Sequence, residues 1–440
     1  MSGTPPLAGP VDRLLAPRLE QRILPGLDRI ARALATLNHP EDRFPSLLVV
    51  GTNGKGSTVA LLASILRAHG LRVGRYTSPH LIRVEERIEV DGTAIDSARL
   101  LELIRELEAF PDLSYFETVT AAAFLEFADR EVDIAVLEAG LGGRWDATNA
   151  GAPEVAMLTN VGTDHGIWLG PTRRHIAAEK AAALRGREAI IGEWDDEIEA
   201  VIRAHADPAT PVSLAGDWAE VWGEERSEIE APAVPTLPSR PSPLPFTAAG
   251  TPVGYAVAGL NGAAFLPLLG AHQIANLRLA LAGAAALAKH RAIPPLDACA
   301  VTDGIESTRW PGRLQRVSWA GRDLFLDGAH NLEATHHLSL ALDALRLSGR
   351  VEMVFSCLDD KPLDAMAARL RPRVTGVTVV PLASPRAMPV ERLTAAFPGC
   401  RTASTLADAV DAAGRETPLL VTGSLRLVGE MLGLIGRNDG

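Results

Sequence analysis

Short, nearly uninterrupted apolar runs alternate along this chain with longer stretches of helical period. SLLVV (46–50), VDIAVLE (132–138), EVAMLTN (154–160) and REAIIGE (187–193) read as buried parallel strands. VALLASILRAH (59–69) and IAAEKAAALR (176–185) lie between them with the three-to-four-residue spacing of helices. A second series begins near residue 313, with LQRVSW, DLFLD, VEMVFSC, VTGVTVV and PLLVTG as strands. Helical segments at about 330–347, 362–371, 405–415 and 424–436 intervene. The alternation predicts an α/β protein with two open, mostly parallel sheets, and ligands at the carboxyl ends of the strands. ESTRWPGR (306–313) separates the two series, so the domains are expected at 1–308 and 309–440. The stretch APAVPTLPSRPSPLP (231–245), with six prolines, reads as a surface excursion of the first domain. No internal repeats occur.

Composition narrows the class. With 47% apolar and 22% charged residues the 440-residue chain can build packed cores and is not a disordered one. Its net charge of −11 argues against a nucleic-acid binder. Three scattered cysteines, Cys299, Cys357 and Cys400, make neither a disulfide framework nor a zinc site, which suits a reducing compartment. The start, MSGTPPLAGPVDRLL, shows no basic-then-apolar leader, and LALAGAAALA (279–288) is half the length needed to span a bilayer. A cytoplasmic protein with no membrane partner is expected. Of the 43 basic residues only four are lysines: Lys55, Lys180, Lys289 and Lys361. An arginine-favouring genome explains the arginines; three of the four retained lysines lie inside motifs, where chemistry that needs an amine rather than a guanidinium is expected.

The strongest local signal is GTNGKGST (51–58), between the strand SLLVV and the helix VALLASILRAH. A glycine-rich loop there wraps phosphates with backbone N–H groups, aided by the helix N-terminus. Gly51, Gly54 and Gly56 permit the tight loop, Lys55 supplies a cation for the β- and γ-phosphates, and Ser57 or Thr58 a hydroxyl. Only two residues separate the first glycines, so the loop is a short form of the common phosphate-loop pattern. Nucleotide binding follows.

GTNGKGS resembles the phosphate loop of the folate branch of the Mur-ligase superfamily, the dihydrofolate synthases and folylpolyglutamate synthases. The likeness continues through YTSPHL (76–81), ERI (86–88), YFETVTAAAF (115–124), LEAGLGGRWDATN (137–149), TNVGTDHGIWLG (159–170) and IAAEKAA (176–182). It resumes in GAHQIANLRLAL (270–281), PGRLQ (311–315), FLDGAHN (325–331), DDKP (359–362) and VTGSLRLVGE (421–430). Ala182 stands where that family usually has glycine. The resemblance implies a P-loop ATPase domain with a mostly parallel sheet plus a smaller Rossmann-like C-terminal α/β domain. It implies an ATP-dependent ligase that joins L-glutamate to dihydropteroate, to the glutamate tail of reduced folates, or to both, through an acyl phosphate.

Site roles follow from the same resemblance. ATP falls to Thr52, Asn53, Gly54, Lys55, Gly56, Ser57 and Thr58, with Asn276, Arg313 and Asp327. Two Mg²⁺ ions fall to Ser78, Glu138 and His165, and the family carries a carbamate at the lysine matching Lys180; a monovalent cation is compatible with the pattern. Taken alone, Glu138 is equally a strand-end acid, His165 a loop histidine and Lys180 a solvated helix lysine. Arg87, His330 and Ser424 are implied for the glutamate substrate, with His330 among the catalytic residues beside Lys55 and Lys180. Leu24, Pro25 and Gly26, with Phe116 and Asp146, are implied for the pterin-bearing acid; Phe116 by itself is as readily a core residue. The implied partners are small molecules acting on a monomer. Two rivals remain: another amino-acid ligase of the superfamily, and a regulatory ATPase without ligase activity. The cell-wall ligases carry a separate N-terminal UDP-binding domain, and 50 residues precede the loop here, so the first rival is not expected. DGAHN and PGR in the second series weigh against the second.

Overall fold

Strand β1 (Ser46–Val50) is buried along its whole length, with Leu47, Leu48, Val49 and Val50 fully shielded from solvent. A continuous apolar run is what a central parallel strand requires, because both of its faces are covered. Each such side chain contributes about 1.5–3 kcal/mol by leaving water. The computed structural model describes residues 9–18, 24–164, 166–192, 194–223, 250–414 and 416–438. The Pro-rich stretch 231–245 lies outside them.

In chain order the strands after β1 are β2 (Val73–Tyr76), β3 (Ile88–Val90), β4 (Thr93–Ala94), β5 (Ile134–Glu138), β6 (Val155–Leu158), β7 (Glu188–Ile191) and β8 (Val212–Leu214). They form one sheet of order β4-β3-β2-β5-β1-β6-β7-β8. Pairings from β2 to β8 are parallel, and β3 and β4 add an antiparallel edge. In register, Val49 faces Glu138 and Tyr76 faces Leu137. The carboxyl ends of β2, β5, β1 and β6 therefore open on one edge of the sheet.

A three-stranded antiparallel sheet follows, from β9 (Ala219–Gly223), β10 (Thr251–Val257) and β11 (Leu260–Leu266). The sequence reading did not anticipate it. Gly254 and Gly262 interrupt the alternation of these strands, and the pair turns on Ala258 and Gly259 at positive φ rather than on an Asn-Gly signal.

The last six strands are β12 (Gln315–Trp319), β13 (Arg322–Leu326), β14 (Val351–Phe355), β15 (Val374–Val379), β16 (Arg401–Thr402) and β17 (Leu419–Thr422), ordered β12-β13-β17-β14-β15-β16. All their pairings are parallel except β12 with β13. A core including Met353, Phe355, Met366, Leu393 and Phe397 fills this sheet's helical face.

The described residues divide into two compact units. One comprises those within Met1–Ser239, Pro252–Ala264 and Ile274–Thr308; the other, those within Arg240–Thr251, Phe265–Gln273 and Arg309–Gly440. No helix among the described residues is long and apolar enough to cross a membrane.

Candidate active site

The phosphate loop leaves the middle of the large sheet's carboxyl edge. Gly54 sits at φ 82° and caps the helix Lys55–Ala68, a conformation that a side chain would strain. A Cβ there would also stand 2.4 Å from Asn276 Oδ1, so Asn276 of the helix His272–Lys289 lies directly on the loop. Residues just after β6 brace it. Thr52 N donates to Asn160 O at 2.9 Å and Asn53 N to Asn160 Oδ1 at 2.8 Å. Thr159 Oγ1 and Asn160 Nδ2 return bonds of 2.6 and 3.0 Å to Asn53 O, and Gly162 N donates to Thr52 Oγ1 at 2.9 Å. The loop is thus held in shape by protein alone. Gly56, Ser57 and Thr58 are buried in the first helical turn, and the Thr58 hydroxyl makes no hydrogen bond among the described residues.

Two lysines meet at this loop. Lys55 Nζ donates to Gly51 O at 3.1 Å and to Thr52 O at 3.4 Å. Lys180, from the helix Arg173–Ala181, donates to the same Gly51 O at 2.7 Å. Lys180 is 3% exposed, so it is no solvated helix lysine. Burial, reinforced by the charge of Lys55, pulls its ammonium down to about 7, against the raising influence of Asp146 and Asp164. Half of the amine is then neutral near neutral pH.

Glu138 ends β5 and is 4% exposed. Its Oε2 accepts a 3.1 Å bond from Ser78 N, the second residue beyond β2. A buried carboxylate beside a serine is an all-oxygen donor set of the kind a hard divalent cation takes, so these residues fit Mg²⁺. His165 lies outside the described residues; its neighbour Asp164 is near enough to Lys180 to affect its charge.

The residues expected for the acid substrate cluster around the helix Tyr115–Asp129. The half-buried Phe116 packs on Tyr76 with ring centroids 5.9 Å apart, and its Cζ lies 2.6 Å from where a Cβ on Gly140 would stand. The loop after β5 therefore runs across its ring. Asp146, in that loop, is 5% exposed. Its oxygens accept from Leu141 N at 2.8 Å, Thr148 N at 3.1 Å and Thr148 Oγ1 at 2.6 Å, while burial pushes its carboxyl up. The same loop is pinned to the Lys180 helix by Arg144 N to Glu179 O at 3.0 Å. Arg87 is 3% exposed, with its guanidinium 5.2 Å from the Tyr115 ring centroid and Nε on His80 Nδ1 at 2.9 Å. It lies between the loop after β2 and the start of the helix Tyr115–Asp129.

Leu24, Pro25 and Gly26 point their carbonyls at one residue that sequence reasoning passed over, Arg29. Trp145 and Trp168 were also missed: they are 53% and 54% exposed, on the loop after β5 and the short helix Gly166–Leu169 after β6. A lone arginine or tryptophan carries no sequence pattern, so only the fold could pick them out.

In the second unit β13 and β17 run parallel, with Leu326 opposite Val421, so both end at one edge. Asp327 follows β13; its oxygens accept from Leu314 N at 2.8 Å and Ala329 N at 2.9 Å, which ties the PGRL turn to the strand end. Burial pushes the Asp327 carboxyl up and Arg313 draws it back down. Arg313 Nη1 lies 2.8 Å from where a Cβ on Gly328 would stand. His330 Nδ1 is 2.7 Å from Gly328 O. Ser424, 4% exposed, opens the helix Leu425–Asn438 after β17, and its Oγ accepts from Arg426 N at 3.2 Å. Four expected residues thus share one edge.

Residues 49–213 match the Mur ligase middle domain, and 312–425 the Mur ligase glutamate ligase domain. These are the two sheets whose carboxyl edges carry the site residues. The chain is 34% identical to the dihydrofolate synthase/folylpolyglutamate synthase of Mycobacterium tuberculosis, over 97% of this chain and 94% of that protein. An Escherichia coli relative solved in complex with DHPP and ADP superposes with a TM-score of 0.82 at 30% identity, covering 99% of this chain and 100% of that one. A bifunctional Yersinia pestis synthase complexed with AMPPNP and Mn ion gives 0.80 at 28%, with 99% and 100% covered. The chain belongs to the dihydrofolate synthase/folylpolyglutamate synthase family of Mur-type ligases. It is an ATP-dependent ligase of glutamate onto folates, which removes the regulatory-ATPase alternative.

Proposed function

We propose that the chain carries out both ligations of its family, glutamate onto dihydropteroate and glutamate onto the tail of reduced folates, through an acyl phosphate. The substrate carboxylate attacks the γ-phosphorus of ATP, ADP leaves, and the glutamate amine then displaces phosphate from the acyl carbon. The supporting observation is the Lys55 ammonium standing in a loop already braced by Asn160, in a chain similar to a relative named for both activities. Phosphoryl transfer spreads charge over its oxygens, so fixed cations and N–H groups carry most of the catalysis.

In this reading the amides of Thr52 to Thr58 and the Lys55 ammonium hold the β- and γ-phosphates. Asn276, Arg313 and Asp327 complete the nucleotide contacts. Ser78 and Glu138, with His165, would hold Mg²⁺, and a Yersinia relative solved with AMPPNP and Mn ion supports divalent metal use; bound there it would supply charge neutralisation at the transferring phosphoryl group. The family pattern has two such ions and is compatible with a monovalent one. Lys180 is carboxylated: its neutral amine adds to CO₂, giving a carbamate and releasing one proton. Phe116, Asp146 and the loop Leu24 to Gly26 receive the pteroate end, and His330 and Ser424 the glutamate. Arg87 supplies a cation for the glutamate carboxylate. The domains divide the work, with phosphates and acid at 1–308 and glutamate and further ATP contacts at 309–440.

Phosphate release tests the reading. It should require ATP, an acid and L-glutamate together, with dihydropteroate and tetrahydrofolate assayed side by side. Release from ATP alone at the full rate would contradict it. Arg313→Ala is expected to lower kcat about 10- to 100-fold while the KM for the acid stays within about twofold, because its proposed partner is charge that changes during reaction. Steady-state kinetics on each substrate in turn measures this.

A further inference from the structure

Arg29 has an unusual position. It is the second residue of the helix Asp28–Thr36, whose preceding residue, Leu27, gives no side-chain cap. A cation in the first turn of a helix works against the helix dipole. Its guanidinium nevertheless faces five oxygens. Nη2 donates to Leu24 O at 2.6 Å and to Gly26 O at 3.3 Å, and Nη1 to Pro25 O at 3.5 Å. On its other side Nη2 lies 3.1 Å from Glu117 Oε1 and Nε donates to Glu117 Oε2 at 3.3 Å. Three successive carbonyls and one carboxylate thus share a single fork.

Glu117 is itself fixed. It is 4% exposed, and its Oε2 accepts from Ser114 N at 2.8 Å while Ser114 Oγ accepts from Glu117 N at 3.3 Å, the reciprocal cap of the helix Tyr115–Asp129. Phe116 is its immediate neighbour. The arrangement ties the loop Leu24–Gly26 to the helix turn that presents the Phe116 ring. A planar, five-donor group can bridge two directions at once, which a lysine ammonium cannot.

We infer that Arg29, held by Glu117, is a positioning residue for the acid substrate: it sets the distance between the Leu24–Gly26 loop and Phe116, and so the fit of the pterin-bearing end. The inference rests on the preceding assignment of that loop and ring to the acid. Arg29 touches no reacting atom, so its effect falls on affinity for one substrate and leaves phosphoryl transfer alone.

The experiment compares the full chain with Arg29→Lys, Arg29→Ala, Glu117→Gln and the double variant Arg29→Lys/Glu117→Gln. Melting temperature, kcat, and KM for dihydropteroate, ATP and glutamate are measured for each. Arg29→Lys, which keeps the charge, should raise the dihydropteroate KM about tenfold or more, with kcat and the other two KM values within about twofold. The double variant should raise the dihydropteroate KM by clearly less than the product of the two single effects, because both changes cut the same Arg29–Glu117 link. A dihydropteroate KM unchanged in Arg29→Lys, or a fall in melting temperature with loss of activity toward all substrates alike, would overturn the inference. Absence of glutamate-dependent phosphate release in the unaltered chain, with either dihydropteroate or tetrahydrofolate, would instead sink the functional reading beneath it.

Discussion

Lys55→Ala will fold as the parent does and lose ligation by at least about a hundredfold, the scale on which one preorganised charge-stabilising donor acts. The reason lies in what surrounds the loop. Its shape is fixed by Thr52, Asn53, Thr159, Asn160 and Gly162, none of which depends on the lysine. The Lys55 ammonium makes only two carbonyl bonds, at 3.1 and 3.4 Å, to Gly51 and Thr52 of its own loop. Its removal therefore costs little structure but takes a cation from the β- and γ-phosphates. The nearby Lys180 donates to Gly51 O and, carrying a carbamate in the proposed enzyme, does not replace the lost cation. Circular dichroism and melting temperature check the fold, and phosphate release checks the loss. Turnover near the parental rate would mean that the phosphates bind elsewhere.

Lys180→Ala should be as damaging, for a different reason, and part of the loss should be recoverable. A carbamate is an anionic carboxylate on a long arm, so a small added carboxylic acid can occupy the space the alanine leaves. Lys180→Arg should not ligate, because a guanidinium does not add CO₂. The pH dependence has a definite sign. Burial and Lys55 lower the Lys180 pKa from 10.5 to about 7, so the amine that attacks CO₂ is mostly neutral above pH 7 and mostly protonated below it. At equal dissolved CO₂, restoration of CO₂-depleted enzyme should accordingly be faster at pH 8 than at pH 6. A ¹³C signal in the carbamate region after ¹³C-bicarbonate labelling should disappear in Lys180→Ala. Parental rates in Lys180→Arg would reduce Lys180 to a structural amine that hydrogen-bonds Gly51.

Much of this site was readable because its parts are local. SLLVV followed by GTNGKGST announces a strand, a phosphate loop and a helix start within thirteen consecutive positions, and the scarcity of lysine drew attention to Lys180 before its burial was visible. The helix begins earlier than its apolar period, at Lys55 rather than Val59, since Gly54 in the left-handed region starts the turn before any core residue is reached. Similarly the second helix runs Arg173–Ala181, capped by Thr172 Oγ1, and stops short of the periodic stretch that ends at Arg185. What stayed hidden depends on distant neighbours. Arg29 and Glu117 are 88 positions apart, and no spacing rule connects them. Arg87 was legible as a cation but not as one enclosed by Tyr115 and His80, because burial of a guanidinium is decided by what folds over it. The antiparallel sheet β9–β11 escaped notice for a related reason: Tyr255 and Leu266 are fully buried but sit among glycines and alanines that give no clear alternation.

The central claim is that the carboxylate of the acid is phosphorylated before the amine attacks. It predicts the route of one oxygen atom. With dihydropteroate labelled by ¹⁸O in its carboxylate, ATP and L-glutamate, mass spectrometry of the released phosphate should find one ¹⁸O per turnover, carried over from the carboxylate. Phosphate without label, formed alongside the ligated product, would contradict the account.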